Sequence, residues 1–232
     1  MHRYATTLLF LVAIGGTPHS SNAAGVLPIA PVVQETPEWC WLAIGEMIFR
    51  HYGVPNANPS GNYQCGIVGI LAGPNSPCWN NCKYCNGPAG SFFTNLNWKQ
   101  TMLYMFKTYP VQAQQFTGKH SPRITVKLSQ TPLSRQAVAA EIDGQRPSVT
   151  GTSPFQPQIV GATQHVALIV GYHQANGAMI LSVNDPYPFG SSNPYLAAGA
   201  RLVNGKGQYE IEYDTFGHKL LWEEAFYGFA AQ

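Results

Sequence analysis

The chain has 232 residues, and only 10% of them are charged, against ~25% in an average globular protein, so its surface must lean on Asn, Gln, Ser, Thr and Tyr. Thirteen basic residues nearly cancel eleven acidic ones. That balance excludes a surface built for nucleic acid or an anionic membrane and does not point to an acidic substrate. At the N-terminus His2 and Arg3 precede the apolar run 8–14, and small and polar residues follow as far as Gly25. This is the layout of a secretory signal peptide over 1–24, cleaved after Ala23 or Ala24. The run is shorter than the ~20 residues that span a bilayer, and no later stretch is long enough. Residues 25–232 then form one domain able to bury a full core. The expected protein is secreted or periplasmic, with no membrane association after signal cleavage, and monomeric.

Thr36-Pro37-Glu38 reads as a helix entrance: Thr36 can cap, Pro37 suits the first helical position, and Glu38 complements the positive end. The helix runs to about Tyr52, with Gly53 and Pro55 as stop signals. Apolar residues occur nearly all round its first two turns, so it should be buried. A short helix over 67–71 and a loop rich in Gly, Pro and Asn come next. A second helix is expected over 94–109, ended by Pro110, and then a half-buried strand over 123–129. A third helix covers 133–142, closed by Gly144, and a short strand 147–150. The β-branched run 165–172 should be a buried strand, turned at Asn176-Gly177 into a partner over 178–184. A strand over 208–213 and the segment 216–229 complete the chain. Helices first and strands later suggest α+β with an antiparallel sheet.

The five cysteines divide unevenly. Cys65, Cys78, Cys82 and Cys85 lie close together, and in an exported chain they read as two disulfides, with three pairings open. A four-cysteine zinc site usually has two tight pairs, a spacing not found here. Cys40 is left as a free thiol. It stands between Trp39 and Trp41 near a helix start, where unpaired N–H groups and a partial positive charge favour thiolate over thiol.

Amide hydrolysis through a thiol needs an ionised sulfur, an imidazole and donors for an oxyanion. Cys40 supplies the sulfur. Of seven histidines, His165 is best placed, at the mouth of a buried strand whose hairpin returns Asn184 and Asp185 to the same end. The two cannot both face the ring, because strand side chains alternate, and the carboxylate of Asp185 is preferred as the orienting group. Gln34, six positions before the cysteine, and the Cys40 backbone N–H are the oxyanion donors. Trp39 and Trp41 read as packing. Tyr187, Tyr195 and Trp222 either line a groove or fill the core.

Gln, five residues, then Cys-Trp, with a later His-Val-Ala-Leu-Ile-Val-Gly-Tyr, resembles the papain-like cysteine proteases. The nearer likeness is to bacterial members of the C39-like and plant-effector type. It rests on residues 34–41, Gly144-Gln145-Arg146-Pro147, and Val183-Asn184-Asp185-Pro186. The resemblance implies a papain-like fold, with a helical N-terminal part carrying the nucleophile and a C-terminal antiparallel sheet carrying His and Asp or Asn. It implies Cys40 as nucleophile, His165 as base, Gln34 as oxyanion donor and Asp185 as orienting acid, with Asn184 matching the papain pattern. No metal or organic cofactor is implied, and the substrate is a protein or peptide. The chain departs from the papain pattern in lacking Cys-Gly-Ser before the nucleophile and in carrying the cysteine-rich insert 65–85. The alternatives are an acyltransferase or deamidase with the same triad, or a secreted binding protein on a protease scaffold.

Overall fold

The structure, a computed structural model, describes residues 25–152, 165–205 and 207–232; the signal segment expected over 1–24 lies outside the described residues. The first part is mainly helical: β1 (Gly25–Val26), α1 (Cys40–His51), α2 (Tyr63–Ala72), α3 (Pro77–Asn80), a 3-10 turn (Cys82–Cys85), α4 (Ala89–Phe92) and α5 (Trp98–Thr117). The second carries the sheet: β2 (Ile124–Ser129), α6 (Arg135–Asp143), β3 (Ser148–Thr152), β4 (His165–Ala175), β5 (Ala178–Asn184) and α7 (Pro194–Ala197). It closes with β6 (Arg201–Asn204), β7 (Gln208–Glu212), α8 (Tyr213–Lys219) and β8 (Trp222–Ala231). The fold is α+β with an antiparallel sheet in the order β2-β8-β3-β4-β5-β7-β6.

β4 is the sheet's central strand, and its first eight residues are all buried. It pairs with β3 over Ser148–Thr152, and beyond Ile169 β1 takes over on the same side, opposite Gly171 and Tyr172. Gly171 permits this approach, since a Cβ there would lie 2.7 Å from the Gly25 carbonyl oxygen. Asn176 and Gly177 both have positive φ, 52° and 79°, which gives the hairpin turn expected from their sequence. β5 then returns antiparallel, so Asn184 lies opposite Leu168 and Asp185 follows near the start of β4.

Helix α1 is enclosed, as its all-round apolar pattern predicts; Trp41 through Phe49 are all buried. Its entrance differs from the expected one. The helix begins at Cys40 with Trp39 as N-cap and no side-chain cap. Thr36 instead closes a turn, its carbonyl accepting from the Trp39 N–H at 3.2 Å. A second difference lies in α5, which opens on a capping box of Asn97 and Gln100 and runs through Pro110 to Thr117. A proline inside a helix costs ~3 kcal/mol. The large buried side chains, Met102, Met105, Phe106 and Tyr109, precede the proline, and beyond it Ala113 is buried and Phe116 meets Trp79 with ring centroids 4.9 Å apart. The short edge strand β6 and helix α8 also went unread in the sequence.

The clustered cysteines pair as Cys65–Cys82 and Cys78–Cys85, tying α2 and α3 to the 3-10 turn, and Cys40 is free. Intact mass after alkylation under denaturing, non-reducing conditions should therefore show one modified thiol per chain. Five modified thiols would refute the pairing.

Candidate active site

Cys40 is the first residue of α1, where N–H groups have no partner inside the helix. Its thiol is partly exposed. Above it, His165 opens β4 and is 2% exposed. The Thr152 hydroxyl donates to the His165 carbonyl at 3.2 Å, anchoring the backbone where β3 and β4 pair. Nε2 of His165 lies 2.9 Å from both Oδ1 and Oδ2 of Asp185. The Cys40 thiol is near enough to the imidazole to favour its protonated form through hydrogen bonding and charge. Burial opposes charge on the ring. The Asp185 charge and the hydrogen bonds to Asp185 and Cys40 outweigh it and raise the His165 pKa from 6.5 to about 10. An imidazole so placed can take a proton from sulfur and hold it beside a carboxylate.

Asp185 is 1% exposed and well supplied with donors. Besides His165, the Tyr187 N–H donates to Oδ1 and the Tyr195 hydroxyl to Oδ2, each at 2.8 Å. Its own N–H donates to the Gly207 carbonyl at 2.8 Å. Gly207 has φ of +87°, and a Cβ there would lie closer to the Asp185 carbonyl oxygen than any real contact, so the position demands glycine. Asn184 faces elsewhere, as strand alternation requires. Its Nδ2 donates to the Ile29 carbonyl at 2.8 Å, and its Oδ1 accepts from Gln208 Nε2 at 3.0 Å.

Gln34 sits in the buried turn before Cys40, and its N–H donates to the Pro186 carbonyl, tying that turn to the loop after Asp185. Its side-chain Nε2 donates to the Thr36 and Pro37 carbonyls at 2.8 and 2.7 Å. Both amide protons thus brace the turn. Gln34 Oε1, Thr36 Oγ1 and Glu38 Oε2 are buried there without a protein partner among the described residues. Burial also pushes the Glu38 carboxyl above its ordinary range.

The two tryptophans do more than fill space. Trp39 Nε1 donates to the Cys85 carbonyl at 3.1 Å and Trp41 Nε1 to the Gly87 carbonyl at 3.3 Å. The cysteine-stapled segment is thereby fastened to both neighbours of Cys40. A cavity of about 380 Å³ beside this segment is lined by Leu71, Tyr84, Cys85, Phe92 and Phe93 among others, and by none of Cys40, His165 and Asp185.

Sequence reasoning left Tyr195 undecided and did not single out Gly207. The Asn193-Pro194 pair that precedes Tyr195 is a helix-start signature, and Asn193 does cap α7. The partner of the hydroxyl, ten residues back, leaves no local trace. Among the described residues no cluster of three or more His, Cys, Asp or Glu side chains is placed to hold a metal ion.

Comparison with curated proteins returns no match. A family model does match, over residues 26–219, a span that includes Cys40, His165 and Asp185. On that match, which covers most of the chain, the protein belongs to the Peptidase_C39 like family, a family of cysteine peptidases.

Proposed function

We propose that the protein is an exported papain-like cysteine endopeptidase, monomeric and acting on protein or peptide substrates. The observation that carries this reading is the His165 ring held between a carboxylate and a thiol, in a chain of a peptidase family. The Cys40 thiolate attacks the carbonyl carbon of the scissile amide, and the carbonyl oxygen takes the charge. His165, protonated by the thiol, gives its proton to the leaving amine as the C–N bond breaks, leaving a thioester on Sγ. His165 then removes a proton from water, which attacks the thioester and releases the carboxyl product and the thiol. Asp185 holds the ring in the correct tautomer and stabilises its charge. The Cys40 N–H and Gln34 are the oxyanion donors. Gln34 can serve once one of its two amide N–H groups turns from the Thr36 or Pro37 carbonyl. Two disulfides support export to an oxidising compartment. Among the described residues no helix is long and apolar enough to cross a membrane.

The test is cleavage of unstructured protein substrates with appearance of new carboxyl termini, alongside stoichiometric labelling of Cys40 by a thiol-directed epoxide. A transferred acyl group or a deamidated side chain in place of a new terminus would overturn the endopeptidase reading. The pH dependence follows from His165. Its folded value, about 10, lies above the ordinary 6.5. The charged ring's contribution to stability is therefore complete below pH ~6.5 and is lost as pH rises through about 10. Turnover needs that proton for the leaving amine and should persist through neutral pH and fall near 10. Alkylation of Cys40 reads the sulfur alone and should show no such fall. Turnover already lost by pH 8 would contradict the assignment.

A further inference from the structure

Asp185 can orient His165 only if the carboxylate itself is held, and the donors around it are unevenly anchored. A carboxylate offers about four lone-pair sites. His165 Nε2 is equidistant from both oxygens at 2.9 Å. On Oδ1 the further donor is the Tyr187 backbone N–H, two residues along the same loop. On Oδ2 it is the Tyr195 hydroxyl, brought in by a separate element, α7. We propose that Tyr195 is a positioning residue of this site: its hydroxyl balances the Tyr187 N–H across the carboxylate and so keeps both Asp185 oxygens on His165. The proposal rests on the triad reading above.

Three features suit Tyr195 to this task. Its ring is 1% exposed and stacks on Tyr209, with centroids 4.2 Å apart and planes 9° off parallel. Asn193 clamps the stack from both sides: its Oδ1 accepts from the Tyr195 N–H at 3.0 Å, and its Nδ2 donates to the Tyr209 hydroxyl at 2.8 Å. Burial and the Asp185 charge also push the Tyr195 hydroxyl well above its ordinary pKa, so it stays protonated and can only donate to the carboxylate. A tyrosine that merely filled the core would need none of this aim. Tyr187 and Tyr195 thus donate to Asp185, Cys40 faces His165, and the Tyr209 ring stacks on Tyr195.

The experiment is Tyr195→Phe in the full mature chain, which keeps the ring and its stack and deletes one oxygen. A hydrogen bond to a charged group is worth about 1.5–3 kcal/mol. The expected result is a kcat about ten- to one-hundredfold lower with KM unchanged. Tyr52→Phe is the control. It removes another hydroxyl bonded within the protein, to the Phe229 carbonyl at 3.0 Å, and should lower Tm comparably while leaving kcat intact. A Tyr195→Phe enzyme within twofold of the unmutated kcat would overturn the proposal and leave the triad reading standing. An unmutated protein that neither cleaves nor labels at Cys40 would instead bring down the reading beneath it. A further measurement needs no variant. Shielded and held on a carboxylate, the Tyr195 hydroxyl proton should exchange slowly and give a resolved resonance linked to its own ring. A hydroxyl in fast exchange with water would overturn the proposal even if Tyr195→Phe failed to fold.

Discussion

Cys40→Ala should abolish peptide cleavage and leave the fold unchanged. The thiol is partly exposed, takes part in neither disulfide, and sits at a helix start where alanine is tolerated. The loss of volume is one sulfur atom, so Tm should shift by no more than a few degrees. Catalysis has no substitute for the sulfur, and losing the nucleophile of such a site costs on the order of 10⁶-fold in turnover. His165→Ala should abolish turnover equally, but with a larger fall in stability. It strands the buried Asp185 carboxylate without its ion partner, a loss of about 3–5 kcal/mol. The two variants combined should be no less active than either alone, because each already removes the unit. Turnover near that of the unmutated protein in Cys40→Ala would sink the peptidase assignment, provided the preparation is free of other proteases.

Asp185 and Asn184 should separate in what they lose. Asp185→Ala removes the acceptor that holds His165 Nε2 and the charge that keeps the ring protonated. The ring is then free to turn from the sulfur, and turnover should fall on the order of 10³-fold or more. Asn184→Ala leaves that contact untouched. It orphans the Ile29 carbonyl and the Gln208 amide, costing about 1–3 kcal/mol of stability. Measured together, kcat should separate the pair: both variants lose stability, Asp185→Ala through the broken buried pair, but only Asp185→Ala should lose kcat on that scale. If Asn184→Ala were the more damaging to kcat at a temperature where both variants are folded, the orienting role would pass to the amide.

The residues that mark the site were legible because their signal is local or periodic. Cys40 stands out by cysteine arithmetic, and the hairpin that brings Asp185 back to His165 is encoded in two buried strands and an Asn-Gly turn. Alternation of strand faces means that Asn184 and Asp185 cannot both meet His165, and charge favours the carboxylate. What escaped the sequence is set by tertiary partners. Thr36 and Pro37 have the chemistry of a helix entrance, yet their carbonyls are taken by Trp39 and Gln34, and the helix waits until Cys40. Pro110 carries a strong local stop signal, yet α5 continues to Thr117, where Phe116 packs against Trp79 of the stapled segment. Tyr195 and Gly207 act on Asp185 through a side chain and a backbone oxygen that no spacing rule connects. The disulfide pairing, one of three possible, became visible only when α2 and α3 were placed around the 3-10 turn.

The bonds from Trp39 and Trp41 to the Cys85 and Gly87 carbonyls place the proposed nucleophile under two opposite redox demands. Cys40 attacks only as a reduced sulfur, while the segment that receives its neighbours' indoles is held by Cys78–Cys85 in the oxidised state. A dithiol that rescues an oxidised Cys40 also opens the disulfide by the same exchange chemistry. The protein is therefore suited to surroundings that preserve disulfides while sparing a lone thiol. Mild monothiols, and not strong dithiols, are the reductants under which it should be handled.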